Sequence, residues 1–381
     1  MSWACLYDKE FKPLGKWTQH IISEWSLTRK AYEFDEFKLT CKGFENSKNA
    51  CYIAMFSNTG KIEYLSFCGI PNTKDGLTTI SGIDCRQLFN QSVMLDLGEK
   101  DKNGEYVINS VKSLFEYLLE QRIDGTSGSQ GLDLGITYKV DTSDLTVLSA
   151  SDWDEEAISR DKKVQSLWKV IQTACNVYDV VVVAEAQIDA IENQYKLVFK
   201  AMRITEKKNI KLSDYDVRMT NTQNVTNRVI ATNGISNKTY YLTNKYKVSD
   251  SYNSKEDNRL YPPRIETVYK DPADYDNEAK EQNKTKEEVA FNEAKAEAIQ
   301  KLNENRYKDR VAINLNSKLG STLDDVDFRY IGVINQYLPA DYANGAENTI
   351  KELPVMSIKT DSKGNKMLTF GRLSDFWFMD D

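Results

Sequence analysis

Histidine is almost missing: the 381 residues contain one, His20. A Ser-His-Asp or Cys-His device needs an imidazole beside its nucleophile, so any such scheme would have to pass through that residue, and no GxSxG elbow accompanies it. His20 reads as an unmatched histidine in a polar, β-rich stretch. Long apolar runs are missing too. Residues 180–184, flanked by Asp179 and Glu185, and residues 50–56 are unbroken apolar runs, each far short of the roughly 20 residues a membrane span needs. The N-terminus (Met1, Ser2, Trp3, Ala4, Cys5) lacks a basic segment followed by an apolar one, so no secretory signal is visible and synthesis and folding are expected in the cytoplasm. None of the six cysteines (Cys5, Cys41, Cys51, Cys68, Cys85, Cys175) forms a CxxC pair. They read as buried, reduced thiols, and one histidine with scattered cysteines cannot supply the local ligand pairs of a zinc site.

An excess of positive charge is also absent. Fifty Lys and Arg against 57 Asp and Glu leave a net charge of −7, a sign that opposes holding nucleic acid by phosphate neutralisation. Hydrophobic residues at 40% and charged residues at 28% are the balance of an ordinary globular chain. The length predicts two or three domains.

The first 98 residues alternate short apolar runs with turn formers. Runs at 51–56, 62–70 and 77–83 are separated by Asn58, Thr59, Gly60 and by Pro71, Asn72, Asp75, Gly76, the pattern of an antiparallel meander. Upstream, Tyr32 and Phe34 keep one alternation phase while Phe37, Leu39 and Cys41 keep the other, so one strand through all five would need a bulge near Asp35 and Glu36. Residues 107–123 carry Val111, Leu114, Phe115, Leu118 and Leu119 at helical spacing, and Val164, Leu167, Trp168, Ile171 and Cys175 mark a second helix. β-rich runs at 178–186 and 195–204 follow. Residues 227–232 and 238–243 flank an Asn233-Gly234 turn. Asp271 and Pro272 can open a helix, and Thr285 with Glu288 forms a capping box ahead of a long, charged helix with a narrow apolar stripe, expected to lie on a surface. Strands resume at 311–315, 330–337, 354–359 and 366–373. In the last hairpin Met356 and Ile358 are expected to face Leu368 and Phe370.

Other patterns fall short of a chemical site. Glu99, Asp101, Asn103 and Gly104 resemble the start of a calcium loop, but Ser110 stands where a bidentate glutamate belongs. Acidic clusters at Asp152, Asp154, Glu155, Glu156 and at Asp324, Asp325, Asp327 could in principle flank a glycosidic bond, but suit solvated loops better. Gly125, Gly128 and Gly131 lack the Lys-Ser/Thr ending of a phosphate loop. The 21 Tyr, 14 Phe and 6 Trp suit sheet packing, a sugar-binding face or a protein interface. The sequence assigns no catalytic, cofactor-binding or metal residue, no cofactor is expected, and the chain is not expected to be an enzyme.

Two stretches carry a resemblance. TRKAYEFDEFKL (28–39) and SGIDCRQLFN (81–90), followed in order by the two helices, NRVIATNGISNKTYYLT (227–243), the charged helix and a final β unit, resemble the tail-hub or tail-associated (Tal) baseplate proteins of siphophages infecting Gram-positive hosts. That resemblance implies an α+β, multidomain phage tail-hub fold, shared with contractile tails. Two related β-barrels would lie at 1–98 and at 214–270 plus 309–381, with an α+β domain at 99–213 and an inserted charged helix at 271–308. It implies a structural virion protein at the tail tip. A homotrimer bearing two barrels per chain would meet the hexameric distal tail protein, adapt six-fold to three-fold symmetry and close the channel until DNA ejection. The tape-measure protein and other baseplate or receptor-binding proteins would be neighbours, and genomic DNA would slide past an acidic wall without specific binding. The place of assembly would be the host cytoplasm. A tail-tip cell-wall hydrolase and a host-saccharide receptor-binding module are the rival readings.

Overall fold

The computed structural model describes residues 3–9, 11–14, 21–42, 49–56, 62–120, 137–145, 158, 160, 162–189, 194–211, 216–220, 226–243, 248–253, 265–304, 310–314, 323, 325–336 and 349–371. The N-terminal part is a set of antiparallel strands: β1 (Trp3–Tyr7), β2 (Ile21–Lys30), β3 (Glu36–Lys42), β4 (Tyr52–Phe56), β5 (Ile62–Cys68), β6 (Asn72–Lys74) and β7 (Leu77–Asp84). All five residues of β4 are buried, which explains its unbroken apolar text: a strand covered on both faces has no polar side to show. One face joins the main core through Tyr52, Ala54 and Phe56. The other builds a smaller core from Leu6, Leu39, Ile53, Met55 and Ile80. The tight hairpin between β6 and β7 turns on Asp75 and Gly76, at φ of 53° and 74°, the left-handed pair that such a turn demands.

A middle layer follows. It contains β8 (Ser92–Leu95), α1 (Val111–Glu120), β9 (Thr137–Asp141), β10 (Lys163–Ser166), α2 (Leu167–Tyr178), β11 (Val180–Asp189) and β12 (Gln194–Arg203). The five apolar residues read as a stripe on α1 are all buried, each contributing about 1.5–3 kcal/mol. The second helix begins later than its apolar spacing implies. Val164 lies in β10, paired with β8, and Ser166 caps α2 by accepting from the Lys169 amide. Asp179, at φ 53°, ends α2 and turns the chain straight into β11.

The next strands return to the large sheet. They are β13 (Glu206–Lys211) and β14 (Asp216–Thr220), then, after an excursion holding β15 (Arg228–Thr232), β16 (Asn237–Leu242), β17 (Val248–Ser249), β18 (Ile265–Tyr269), α3 (Asp276–Gln282) and α4 (Lys286–Glu304), the strands β19 (Arg310–Asn314), β20 (Tyr330–Gln336), β21 (Thr349–Asp361) and β22 (Lys366–Gly371). The N-terminal strands lie side by side as β1-β4-β5-β7-β3-β2, and the later ones as β13-β20-β21-β22-β19-β14. Matched by position these are β1 with β13, β4 with β20, β5 with β21, β7 with β22, β3 with β19 and β2 with β14. The chain order within both sets is then the same. Every neighbouring pair agrees in sense except the first, antiparallel for β1–β4 and parallel for β13–β20. The two sets share a single 13-stranded sheet through the antiparallel pair β2–β21. Neither set closes on itself among the described residues, so the expected barrels are seen as open ladders.

Residues 226–304 form a unit of their own. β15–β18 pair with one another in the order β17-β16-β15-β18, and α4 lies on that sheet. Ala290, Ala294 and Ala298, four apart and fully buried beside Val289, Ile299 and Leu302, let the helix approach closely. The stripe is narrow because its residues are small, and it is packed against the sheet. The capping box forms as its spacing implies: Thr285 Oγ1 accepts from the Glu288 amide and the Glu288 carboxylate accepts from the Thr285 amide. Asn283, at φ 53°, separates α3 from α4.

Two local expectations are corrected. Tyr32 and Phe34 do not continue the strand of Phe37, Leu39 and Cys41. Residues 31–35 are a turn between β2 and β3, and the one register shift of that pair falls between Ile22 and Glu24. In the last hairpin Ile358 faces Leu368 as expected, but Phe370 faces Val355, because the register shifts between Val355 and Ser357 and leaves Met356 in a bulge.

Candidate functional site

The 31–35 turn and the 3-10 turn Cys85–Phe89 lie 50 or more positions apart in the chain, and they meet around one guanidinium. Asp84 ends β7 and caps the 3-10 turn, its Oδ1 accepting from the Arg86 amide at 2.8 Å. Its Oδ2 accepts from Arg86 Nε at 2.9 Å, from Arg86 Nη2 at 2.6 Å and from the Asp35 amide at 2.7 Å. Asp35 Oδ1 accepts from Arg86 Nη2 at 2.7 Å and from the Lys30 amide at 2.8 Å. Arg86 Nη1 then donates to the carbonyls of Lys30 at 3.0 Å and of Val182 at 3.0 Å, the latter on β11 of the middle layer, while Nη2 reaches the Glu33 carbonyl at 2.7 Å.

Arg86 is 1% exposed. A charge so buried is tolerated only when its donors are used, and here every guanidinium nitrogen has an acceptor. Burial alone would lower its proton affinity, but the two carboxylates outweigh that and raise it. Burial lifts the Asp35 carboxyl to about 6, against the pull of Arg86, with Asp84 adding to the rise. Around the cluster, Phe34 stacks on Trp168 of α2 with centroids 4.7 Å apart, and the Arg86 guanidinium lies 5.7 Å from the same indole. Gln172 donates to the Tyr32 carbonyl at 2.5 Å, and the Ala31 amide to the Met356 carbonyl on β21 at 2.9 Å. One five-residue turn thus touches both strand sets, the 3-10 turn and α2, and is linked through Arg86 to β11.

Chemically this arrangement grips; it presents no nucleophile beside a base. Asp35, Asp84 and Arg86 all fall inside the two stretches that carry the family resemblance, but the sequence reading assigned none of them a part. The available signal was an Asp and an Arg set among buried apolar neighbours between Ile80 and Phe89.

The residues weighed from sequence go elsewhere. Asp101 Oδ1 accepts from the amides of Asn103 and Glu105 at 2.8 and 2.9 Å, closing a turn. Ser110 accepts from the Ser113 amide at the start of α1. Asp325 pairs with Lys208 at 2.5 Å and Asp327 with Arg329 at 2.8 Å. His20, Gly125, Gly128, Gly131, Asp152, Asp154, Glu155, Glu156 and Asp324 lie outside the described residues. All six cysteines are free, four of them buried and Cys51 and Cys68 half-buried. Burial pushes the Cys5 thiol up to about 11 and that of Cys41 to about 12, far from nucleophilic at neutral pH. Among the described residues no group of three His, Cys, Asp or Glu could hold a metal ion, and no helix is long and apolar enough to cross a membrane.

No family model and no curated protein sequence matches the chain. Solved structures do match it. The tail protein from Neisseria meningitidis MC58 aligns over 98% of this chain and 97% of its own, at 11% identity and a TM-score of 0.50. The chain has a tail-protein fold. The prophage tail protein gp18 from Listeria monocytogenes EGD-e aligns over 97% of this chain and 94% of its own at 12% identity and a TM-score of 0.48. A chain of the phage P2 baseplate in its activated conformation with Ca covers 99% and is itself covered completely, at 10% identity and a TM-score of 0.46. The tail-protein fold is reached end to end, so both strand sets, the middle layer and the 226–304 unit all lie within it.

Proposed function

We propose that the chain is a structural subunit of a bacteriophage tail tip, a hub that adapts a six-fold tail tube to three-fold symmetry. The observation that carries this reading is the repeated strand order, β1-β4-β5-β7-β3-β2 and β13-β20-β21-β22-β19-β14, inside a fold that aligns end to end with a tail protein. A chain with two like strand sets carries a dimer's worth of like units in one polypeptide. Three such chains offer six quasi-equivalent faces to a hexameric ring and keep three-fold symmetry below it. On this reading the β1–β7 set is one ring-facing unit. The second unit is β13, β14 and β19–β22, with 226–304 inserted at the β14–β19 connection. That division differs from the one expected from sequence, which began the second unit at 214 and treated only 271–308 as inserted.

The experiment is co-expression with the distal tail ring protein, followed by native mass measurement and electron cryomicroscopy. Three chains on one six-membered ring, each with both strand sets seated on it, is the expected result. Six chains per ring, or seating through one set only, rejects the adaptor. Failure to join the ring at all rejects the tail-tip role.

A further inference from the structure

Within one chain the two strand sets are joined in the sheet by the antiparallel pair β2–β21, with Ser26 opposite Asp361, Leu27 opposite Thr360 and Thr28 opposite Lys359. β2 ends its set as β14 ends the other, and they lie beside the counterparts β3 and β19. β21 has two parts: the first pairs with β20 and the second turns back into β22. In the N-terminal set these parts fall to β5, which pairs with β4, and to β6, which turns back into β7, with the Gly69 amide donating to the Ser81 carbonyl between them. The counterparts of the two seam strands are therefore β14 and β6.

Both have an open side. Among the described residues β14 pairs only with β19 and β6 only with β7. All three residues of β6 are exposed, and Ile70, just ahead of it, is 94% exposed. An unpaired edge is a template for another strand, and a bare isoleucine beside it gains when covered. In one chain β3, β2, β21, β22 and β19 stand between β7 and β14, so the two edges are left to meet on different molecules. The ladders carry the correspondence to single residues. Thr28 pairs with Glu36 and Glu36 with Ile83; Thr220 pairs with Arg310 and Arg310 with Gly371. Along the same strands Leu77 faces Lys74, and the Asn365 carbonyl accepts from the Asp361 amide. Thr28 thus answers to Thr220, and Lys74 to Asp361.

We propose that β14 of one copy pairs antiparallel with β6 of a second copy, Arg218 opposite Lys74, Met219 opposite Thr73 and Thr220 opposite Asn72, repeating between chains the seam that β2 and β21 make within one. This contact rests on the adaptor reading and supplies the joint between copies which that reading requires. It uses a different edge on each partner, the head-to-tail kind that closes into a ring; in a trimer, seams within chains and seams between chains alternate around it. Pro71 stands where Ile358 faces Arg29 in the template and has no N–H to give, so the new ladder is the shorter one. Its outer rung sets two like charges opposite each other, at some cost.

The test is placed at that rung. Assembled on the distal tail ring, the double variant Lys74→Cys/Arg218→Cys should oxidise to a covalently closed trimer, and either cysteine alone should give none. Ile70→Glu, at a bare surface position, should leave the unfolding midpoint of the monomer unchanged and weaken trimer formation about tenfold or more. In the wild-type complex, amide exchange in β6 and β14 should be at least about tenfold slower than in the monomer. Three chains on the ring with both strands exchanging as before, no covalent link in a folded double variant, or full assembly of Ile70→Glu would each overturn this contact and leave the adaptor standing. Six chains on the ring, or none, overturns the adaptor and the contact with it. Wild-type exchange decides even where a variant does not fold.

Discussion

Asp35 and Arg86, 51 positions apart in the chain, are joined at 2.7 Å inside the protein, and through that contact the β2–β3 turn is fixed to the end of β7 and to β11. Removing the guanidinium leaves two buried carboxylates without their partner. Arg86→Leu is expected to destabilise the chain by about 3–5 kcal/mol, the usual cost of orphaning a buried charge. Urea unfolding followed by tryptophan fluorescence measures this, and a loss under about 1 kcal/mol would mean that the cluster rehydrates without penalty.

The stack of Phe34 on Trp168 binds the same turn to α2. In a double-mutant cycle of Phe34→Leu and Trp168→Leu, the coupling is expected at about 0.5–1.5 kcal/mol, the range for aromatic pairs beyond their burial. Additive losses would show that the two rings share a space without interacting.

Gly82 sits in β7 where a Cβ would fall 2.3 Å from Ser66 Oγ and 2.7 Å from a Phe37 ring carbon. Ser66 Oγ is itself buried and Phe37 is packed on Tyr64, so neither can step aside freely. Gly82→Ala should cost about 1–3 kcal/mol by overpacking. The same change at Gly104, where φ is 82° but nothing lies within 4 Å, tests backbone strain alone.

Ala294 is fully buried between α4 and its sheet. Ala294→Leu should lift the helix off β15 and destabilise the 226–304 unit by about 1–3 kcal/mol, read as faster amide exchange in β15 and β16. Glu293→Ala, exposed one position earlier, should leave exchange unchanged.

Periodicity made the local elements legible. The α1 stripe, the capping box at Thr285 and Glu288 and the Asn233-Gly234 turn all depend on neighbours within a few residues, and the structure has each. What failed depended on distance. Phase alone could not tell a bulge from the turn at 31–35, because what makes it a turn is Asp35 accepting from the Lys30 amide and anchoring to Arg86, a residue far along the chain. Val164 kept a helical spacing yet went into β10 because β8 was there to pair with it. The charge cluster was hidden for the same reason: a lone Asp or Arg in an apolar run shows no partner until the fold supplies one. The repeated strand order is likewise invisible as a sequence repeat, since topology conserves the positions of strands and not their residues.

The β2–β21 pair, five rungs from Ser26–Asp361 to Lys30–Ser357, makes a hinge between the two strand sets costly. Bending there would expose a run of main-chain donors and acceptors, so the halves must travel as one plate. Any movement this molecule makes in service must be found at its fringes, in the middle layer or in the 226–304 unit, with the plate as the fixed frame of reference.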